Sequence, residues 1–369
     1  MFRALATVDL ECVRHNVETL CQRLAPRCTL MAVVKADGYG HGAAPVARAS
    51  LEAGATTLGV ATVGEASELR QMGFDCPIVI LGPLDGAEIG EAIDADAEII
   101  IWTLPFLKNL VGIAHSRGIR LRCHIKIDTG MRRLGLYPRK LVKFLDMVEP
   151  SPEVELAGVM THFATADEED DDFFYYQLHA FEDVAQTVLT TGLTPVFHAA
   201  NSAATIRYRE SHFGMVRCGI AIYGLSPFQG DAAADGLQPA LTLTSYLADI
   251  KDLAEGDSVG YGCTWTAPRR TRIGIIPIGY GDGFSRRLSN LGNALIGGNT
   301  YPVIGRVSMD QITVDLGPAA EIECASEVVL IGRQGEAAIT AEEMATALGT
   351  INYEITCNLS PRVERRYTG

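Results

Sequence analysis

From residue 29 to 224 the chain alternates short apolar runs with longer stretches whose apolar positions recur at helical spacing. Eight runs carry the pattern: TLMAVVK, TLGVAT, PIVILG, AEIIIW, RCHIKID, LAGVMTHF, PVFHAAN and VRCGIAIYG. They are continuous rather than alternating, as strands buried on both faces of a parallel sheet would be. Between them, "GAAPVARASLEAG" and "FFYYQLHAFEDVAQTVLTTG" predict helices, the second closing at Gly192 as a left-handed C-terminal residue would close it. Eight strand–helix units of this size predict an α/β fold, an N-terminal (β/α)8 barrel. An open doubly wound sheet shares the local pattern, because strand order is not written in the sequence.

Residues 226–239, SPFQGDAAADGLQP, are small and polar, punctuated by Pro227 and Pro239, and read as a linker. Beyond it, "ALTLTSYLADI", "RIGIIPIGYGDG", "ALIGGNTYPVIG" and "QITVDLG" are short strands separated by Gly, Pro and Asn turns. One helix interrupts them: "TAEEMATALG" begins at Thr340 with Glu343 three residues on, a capping box. The chain therefore divides into a barrel domain over residues 1–230 and a C-terminal, mainly β domain over 231–369. The early strand "ATVDL" has no place among the eight, so residues 1–10 are available to pair with the C-terminal domain.

With 369 residues, 47% of them hydrophobic, the chain can bury two sizeable cores. A formal net charge of -14 argues against nucleic acid or an anionic membrane surface as the main partner. No apolar run approaches the roughly 18 residues of a membrane span. Asp9 and Glu11 come too early for a signal-peptide core. The nine cysteines are dispersed without a CxxC pair, which predicts free thiols in a reducing cytoplasm. No histidine stands at ligand spacing from a cysteine pair, so no metal site is expected.

In such a barrel, functional groups collect where strands end at the C-terminal face. Lys35 ends the first run, and Lys126, Asp128 and Arg133 end and follow the fifth. His162 ends the sixth, Asn201 and Ser202 follow the seventh, and Arg217 lies inside the eighth. A lone strand-end lysine is ordinarily just solvated; convergence of several strands on one rim argues for a site. "ADGYGHG" is neither GxGxxG nor a P-loop. Its glycines let the backbone approach a ligand closely, and beside them the Lys35 amine suits covalent capture of a cofactor aldehyde.

Together with "AVVKADGYGHG", "KIDTGMRRLG", "THFATAD", "NSAA" and "VRCGIAIYG", the later segments "VGYGCTWTA", "GYGDGFSRRL", "GRVSMDQ" and "NYEITCNLSPRVERRY" resemble the alanine racemase family of fold type III pyridoxal phosphate enzymes. The resemblance implies a homodimeric isomerase with shared active sites that supplies D-alanine for peptidoglycan. In it, Lys35 would hold pyridoxal 5'-phosphate covalently and act as one base, and Tyr261 from the partner subunit would be the opposite base. Tyr39, Ser202 and Tyr353, with the amides of Gly219 and Ile220, would hold the phosphate, and Asn201 would belong to the same cofactor shell. Arg217 would face the pyridine nitrogen, keeping it unprotonated, and His162 would link Arg217 to Tyr261. Arg133 and the Met309 amide would bind the substrate carboxylate, with Asp310 in support. Tyr280, Asp167 and Arg286 match entrance positions, and Lys126 matches a lysine carbamylated in many members. An ordinary Lys126–Asp128 pair on one strand face is the plainer alternative.

Departures from the family's commoner pattern, Gly281 in "GYGDG" and Cys218 beside Arg217, leave a serine-preferring or broad-specificity racemase open. A fold type III decarboxylase would place an acid where Arg217 stands, and a non-catalytic pyridoxal phosphate-binding protein would lack the segment 240–369. "DEEDDD" at 167–172 reads as a solvated loop before a helix, His15, His115, His179 and His212 as surface or packing residues, and Tyr175 and Tyr176 as helix packing.

Overall fold

The computed structural model describes residues 2–318 and 321–369. Their contacts divide the chain into two compact units, one of Arg14–Gly38 and Ala43–Ile222, the other of Met1–Val13, Tyr39–Gly42 and Tyr223–Gly369.

The strand Leu5–Asp9 (β1) belongs to the second unit. The first unit is built on eight strands: Thr29–Val33 (β2), Thr57–Val60 (β3), Ile78–Ile80 (β4), Glu98–Ile101 (β5), Leu121–Lys126 (β6), Val154–Met160 (β7), Val196–His198 (β8) and Met215–Cys218 (β9). Five fall wholly within the eight apolar runs of the sequence, and β6, β7 and β9 begin one or two residues before theirs. Neighbours pair in parallel from β2 through β8, and β9 pairs with β2. The last gap is bridged by backbone bonds, Gly214 N–H to the Phe197 carbonyl (3.0 Å) and Arg217 N–H to that of Ala200 (2.9 Å). The sheet thus returns on itself as a barrel, which sets aside the open, two-edged alternative. Every residue of β3, β4 and β5 is buried, as a sheet filled inside and covered outside requires.

The covering helices follow from amphipathic spacing. In Asp172–Thr190 the buried residues Phe174, Gln177, Leu178, Phe181, Val184, Ala185 and Val188 recur at intervals of three and four. Gly192, just past the C-cap Thr191, has φ 84°, the left-handed closure that the sequence signalled.

In the second unit, one sheet runs through Leu241–Tyr246 (β10), Asp249–Leu253 (β11), Thr271–Ile276 (β14), Asn293–Ile296 (β15), Asn299–Ile304 (β16), Ile312–Gly317 (β17) and Glu327–Gln334 (β18). A separate two-stranded ladder joins Ser258–Val259 (β12) and Trp265–Thr266 (β13), and Ala337–Ile339 (β19) adds to β18. In β10 and β17 buried and half-buried residues alternate strictly, the period-two pattern of a sheet with one covered face. β1 lies antiparallel to β10 and parallel to Glu364–Thr368 (β20), the final strand. Both halves of the Thr340–Glu343 capping box form: the Glu343 amide donates to the Thr340 hydroxyl (3.1 Å), and the Thr340 amide to the Glu343 carboxylate (2.9 Å).

Candidate active site

The barrel unit gathers its basic residues where strands end. Lys35 lies two residues past β2, at the start of a turn in which Ala36, Asp37 and Gly38 have φ of 52°, 51° and 59°. A left-handed conformation costs about 1–2 kcal/mol for each residue with a Cβ, so Ala36 and Asp37 hold it only under constraint. The constraint is visible: the Ala36 amide donates to Glu65 Oε1 (2.7 Å), and Asp37 Oδ1 accepts from the Ala43 amide (3.0 Å). Glu65 Oε2 meanwhile accepts from the Ala61 amide (2.7 Å), so one carboxylate ties the Lys35 turn to the segment after β3. A strained turn fixed at a strand end places its lysine more sharply than a slack loop would.

Lys126 is the last residue of β6 and is buried. Burial, then the charges of Arg217, Arg133 and Lys35, push its ammonium down to about 7, with Asp128 opposing. Asp128 does not pair with it. The Asp128 carboxylate accepts instead from the amides of Gly130 and Arg132 (3.0 Å each) and closes the loop after the strand, which corrects the expectation of a same-face ion pair. The single acid near the four cations is thus engaged elsewhere, and the electrostatics of the barrel end suit an anionic ligand.

Arg217, 4% exposed, is held through both terminal nitrogens: Nη1 donates to the His198 carbonyl (2.8 Å) and Nη2 to the carbonyls of Thr161 (2.7 Å) and Ala199 (3.0 Å). Nη2 also lies 3.2 Å from His162 Nδ1. Burial pushes the guanidinium down to about 10, which leaves it charged in neutral solution. Burial and the neighbouring cations hold His162 well below the usual imidazole range, so it stays neutral and accepts at Nδ1. Among the described residues the Arg217 Nε–H has no acceptor.

Ser202 Oγ, also buried, accepts from the amides of Gly219 (3.0 Å) and Ala221 (3.4 Å) where β9 runs into the short turn Ile220–Tyr223. Asn201 caps the helix Ser202–Arg207, its Oδ1 accepting from the Ala204 amide (3.0 Å). Its side-chain oxygen therefore has a structural task. Asp167 is exposed in the loop that precedes the helix Asp172–Thr190.

In the second unit Tyr39 is buried, its ring 5.0 Å from that of Tyr223 and 6.0 Å from that of Tyr353. The glycines beside Tyr39 meet protein: a Cβ on Gly40 would overlap the Thr356 carbonyl, and one on Gly42 the Tyr367 hydroxyl. Their close approach therefore joins the "GYGHG" segment to the C-terminal residues. The turn holding Tyr280 lies against Met309, the Tyr280 amide donating to the Ser308 carbonyl (3.0 Å) and that of Gly281 to Met309 (2.9 Å). Asp310 accepts from Arg362 Nη2 (2.6 Å). Arg286 opens the turn Arg286–Leu288. Tyr261 is 71% exposed and Met309 52% exposed, and the Tyr261 hydroxyl has no hydrogen bond among the described residues.

Sequence reasoning passed over three buried polar residues, Glu98, His124 and His198. One signal was there: His124 precedes Lys126 by two, so strand alternation turns both to one face. No helix of the described residues is long and apolar enough to cross a membrane, and they hold no cluster of metal-ligating side chains.

Residues 8–227 match the alanine racemase N-terminal domain, and residues 240–367 its C-terminal domain. The alanine racemase of Desulforamulus reducens is 41% identical, over 99% of this chain and 98% of that one. The crystal structure of alanine racemase from D-cycloserine-producing Streptomyces lavendulae superimposes with a TM-score of 0.96 at 39% identity, covering 100% of this chain and 98% of that one. That of Bacillus anthracis with bound L-Ala-P gives 0.93 at 37%, covering 100% and 96%. Both domains are matched in order and nearly end to end, and the chain belongs to the alanine racemase family.

Proposed function

We propose that this chain interconverts L- and D-alanine with pyridoxal 5'-phosphate as cofactor, as a cytoplasmic homodimer that supplies D-alanine for peptidoglycan. The observation that carries the reading is Arg217: a buried cation whose terminal nitrogens are tied to main-chain carbonyls and whose Nε–H is left for a ligand acceptor. A pyridine nitrogen is such an acceptor. The rest of the donor set fits the same group: an amine at Lys35 for an aldehyde, and for a phosphate the Ile220 amide, between the Gly219 and Ala221 amides that Ser202 Oγ already accepts from. The family's L-Ala-P complex, formed by the Bacillus anthracis relative, favours a small amino-acid ligand.

When bound, the cofactor draws electrons from the substrate Cα and so acidifies its C–H. The protein's part is to move that proton. Lys35 takes or returns it on one face, and Tyr261 of the partner subunit does so on the other. With the cofactor bound, Arg217 would face the ring nitrogen and keep its own proton, so that the ring would be a weaker electron sink and return of the proton would be favoured over loss of another group. His162, neutral and accepting at Nδ1, presents its Nε2–H as the link from Arg217 to the tyrosine. Arg133 and the Met309 amide bind the carboxylate, Asp310 supports them, Tyr39 and Tyr353 complete the phosphate site, and Tyr280, Asp167 and Arg286 line the entrance. Serine is the nearest alternative substrate. Decarboxylation and simple cofactor binding are disfavoured by the full-length match that includes the C-terminal domain.

The reading is tested by reducing the purified, cofactor-loaded protein with borohydride and mapping the modified peptide. The cofactor is expected on Lys35; fixation at another lysine would remove the basis of the assignment.

Lys126 gives a pH-dependent expectation. Carbamate formation requires the neutral amine: its nitrogen bonds the carbon of CO2 and a proton leaves. With the ammonium lowered to about 7, the neutral form grows as pH rises through 7, far below the ordinary ~10.4 of lysine. The product is an anion among cations, which relieves the repulsion that lowered the amine. Carbon-13 NMR with labelled bicarbonate is expected to show a carbamate signal that rises between pH 6 and 8 on the scale of that ~7 midpoint and is absent in Lys126→Ala.

A further inference from the structure

The carbonyls that grip Arg217 come from the strand ends, but behind it a string of side chains runs through the barrel interior. Arg217 Nη1 lies 3.2 Å from His198 Nδ1. His198 Nε2 lies 2.8 Å from His124 Nδ1, and His124 Nε2 lies 2.6 Å from Glu98 Oε2. Glu98 Oε1 meets Arg122 Nη1 at 2.7 Å. Glu98, His124, His198 and Arg217 belong to β5, β6, β8 and β9, and each is at most 6% exposed. The His124–His198 contact skips β7, which is possible because β7 carries Gly158 opposite His124: a Cβ there would overlap the imidazole ring. A glycine in the middle of a buried strand costs stability unless something needs the space; here a ring fills it.

The hydrogens along this string can run only one way. A guanidinium is donor only, so His198 Nδ1 accepts and its Nε2 carries the hydrogen. His124 Nδ1 must then accept, which places the His124 hydrogen on Nε2, facing Glu98. An ionised carboxylate accepts there. Burial, which raises the Glu98 carboxyl, is outweighed by the hydrogen bond from His124 and the charge of Arg122, and the group stays ionised. Burial keeps His198 neutral, well below the usual imidazole range. Reversing any one ring would set a donor against a donor at Arg217 or leave Glu98 without its bond.

We propose that Glu98, His124 and His198 form a one-directional hydrogen-bond relay that fixes the guanidinium of Arg217 from behind, which makes Glu98 and His124 positioning residues for racemisation. The role of Arg217 rests on the function proposed above; the direction of the relay does not.

Two measurements test it. In the holoenzyme labelled with nitrogen-15 histidine, His124 and His198 are expected as Nε2–H forms, with coupling across the bond between His198 Nε2 and His124 Nδ1. A hydrogen on Nδ1 of either ring overturns the relay, whether or not alanine is the substrate. Next, Glu98→Gln keeps an acceptor oxygen for His124, whereas Glu98→Leu keeps the volume and removes it. Loss of the outer partner of a metal-ligating histidine typically costs roughly 10- to 100-fold; by the same logic Glu98→Leu is expected to lower kcat in that range, with KM for alanine nearly unchanged and His198 partly shifted to the Nδ1–H form. Glu98→Gln is expected to recover most of the loss. Equal kcat in the two variants, or an unshifted His198 in Glu98→Leu, rejects a positioning role. If Glu98→Leu does not fold, the wild-type spectrum still decides. If the wild-type enzyme does not racemise alanine, the functional reading fails while the tautomer result stands.

Discussion

Lys35→Ala is expected to abolish racemisation while leaving the barrel folded. On the proposed function, two tasks would be lost with one side chain: the amine that carries the cofactor and the base on one face of the substrate. A positioned base alone contributes typically 10²–10⁴-fold, so a loss of at least roughly 10³-fold is expected once the covalent link is also gone. Stability should change little or rise slightly, because Lys35 adds to the repulsion that lowers Lys126. A small primary amine added to the solution should restore part of the rate, since it can occupy the space and chemistry of the missing Nζ. Activity within tenfold of wild type, measured by chiral chromatography on protein of confirmed mass, would exclude Lys35 as base.

The second large effect is complementation between two dead variants. Tyr261 is 71% exposed and Met309 52% exposed in the single chain, which is unusual for residues given central tasks but natural for residues that meet a second chain. A two-fold dimer would place each tyrosine in the partner's site and make two equivalent sites. Lys35→Ala and Tyr261→Ala homodimers should each be nearly inactive. Unfolded together and refolded, half of the dimers pair unlike chains and one of two sites in each keeps both bases, so activity should return to about a quarter of wild type. If both bases came from one chain, each site would lack one, and mass spectrometry showing mixed dimers without activity would reject the shared site.

Much of this was legible in the sequence because it depends on local pattern. Continuous apolar runs located all eight barrel strands, the Thr340–Glu343 spacing located a cap, and strand-end polar residues located Lys35, Lys126 and Arg217. What was not legible depends on which distant group each residue meets. Asp128 looked like a partner for Lys126 because alternation puts them on one face, yet two loop amides take its carboxylate. Gly40 and Gly42 looked like room for a ligand, yet each makes room for a residue more than 300 positions away, Thr356 and Tyr367. His124 and His198 lie inside apolar runs, and their pairing depends on barrel register, including the irregularity between Cys123 and His124. The left-handed turn at Ala36 carries no signal at that residue, since alanine does not favour it; Glu65 holds its amide from the next segment.

The reaction itself is settled by supplying the purified protein and pyridoxal phosphate with L-alanine in one vessel and D-alanine in another, and following both by chiral chromatography. Both should converge on the same near-equal mixture of enantiomers, because the two products have equal free energy in water, with no pyruvate and no ethylamine accumulating. Unchanged alanine in both vessels, or consumption to pyruvate or ethylamine without appearance of the opposite enantiomer, would contradict alanine racemisation.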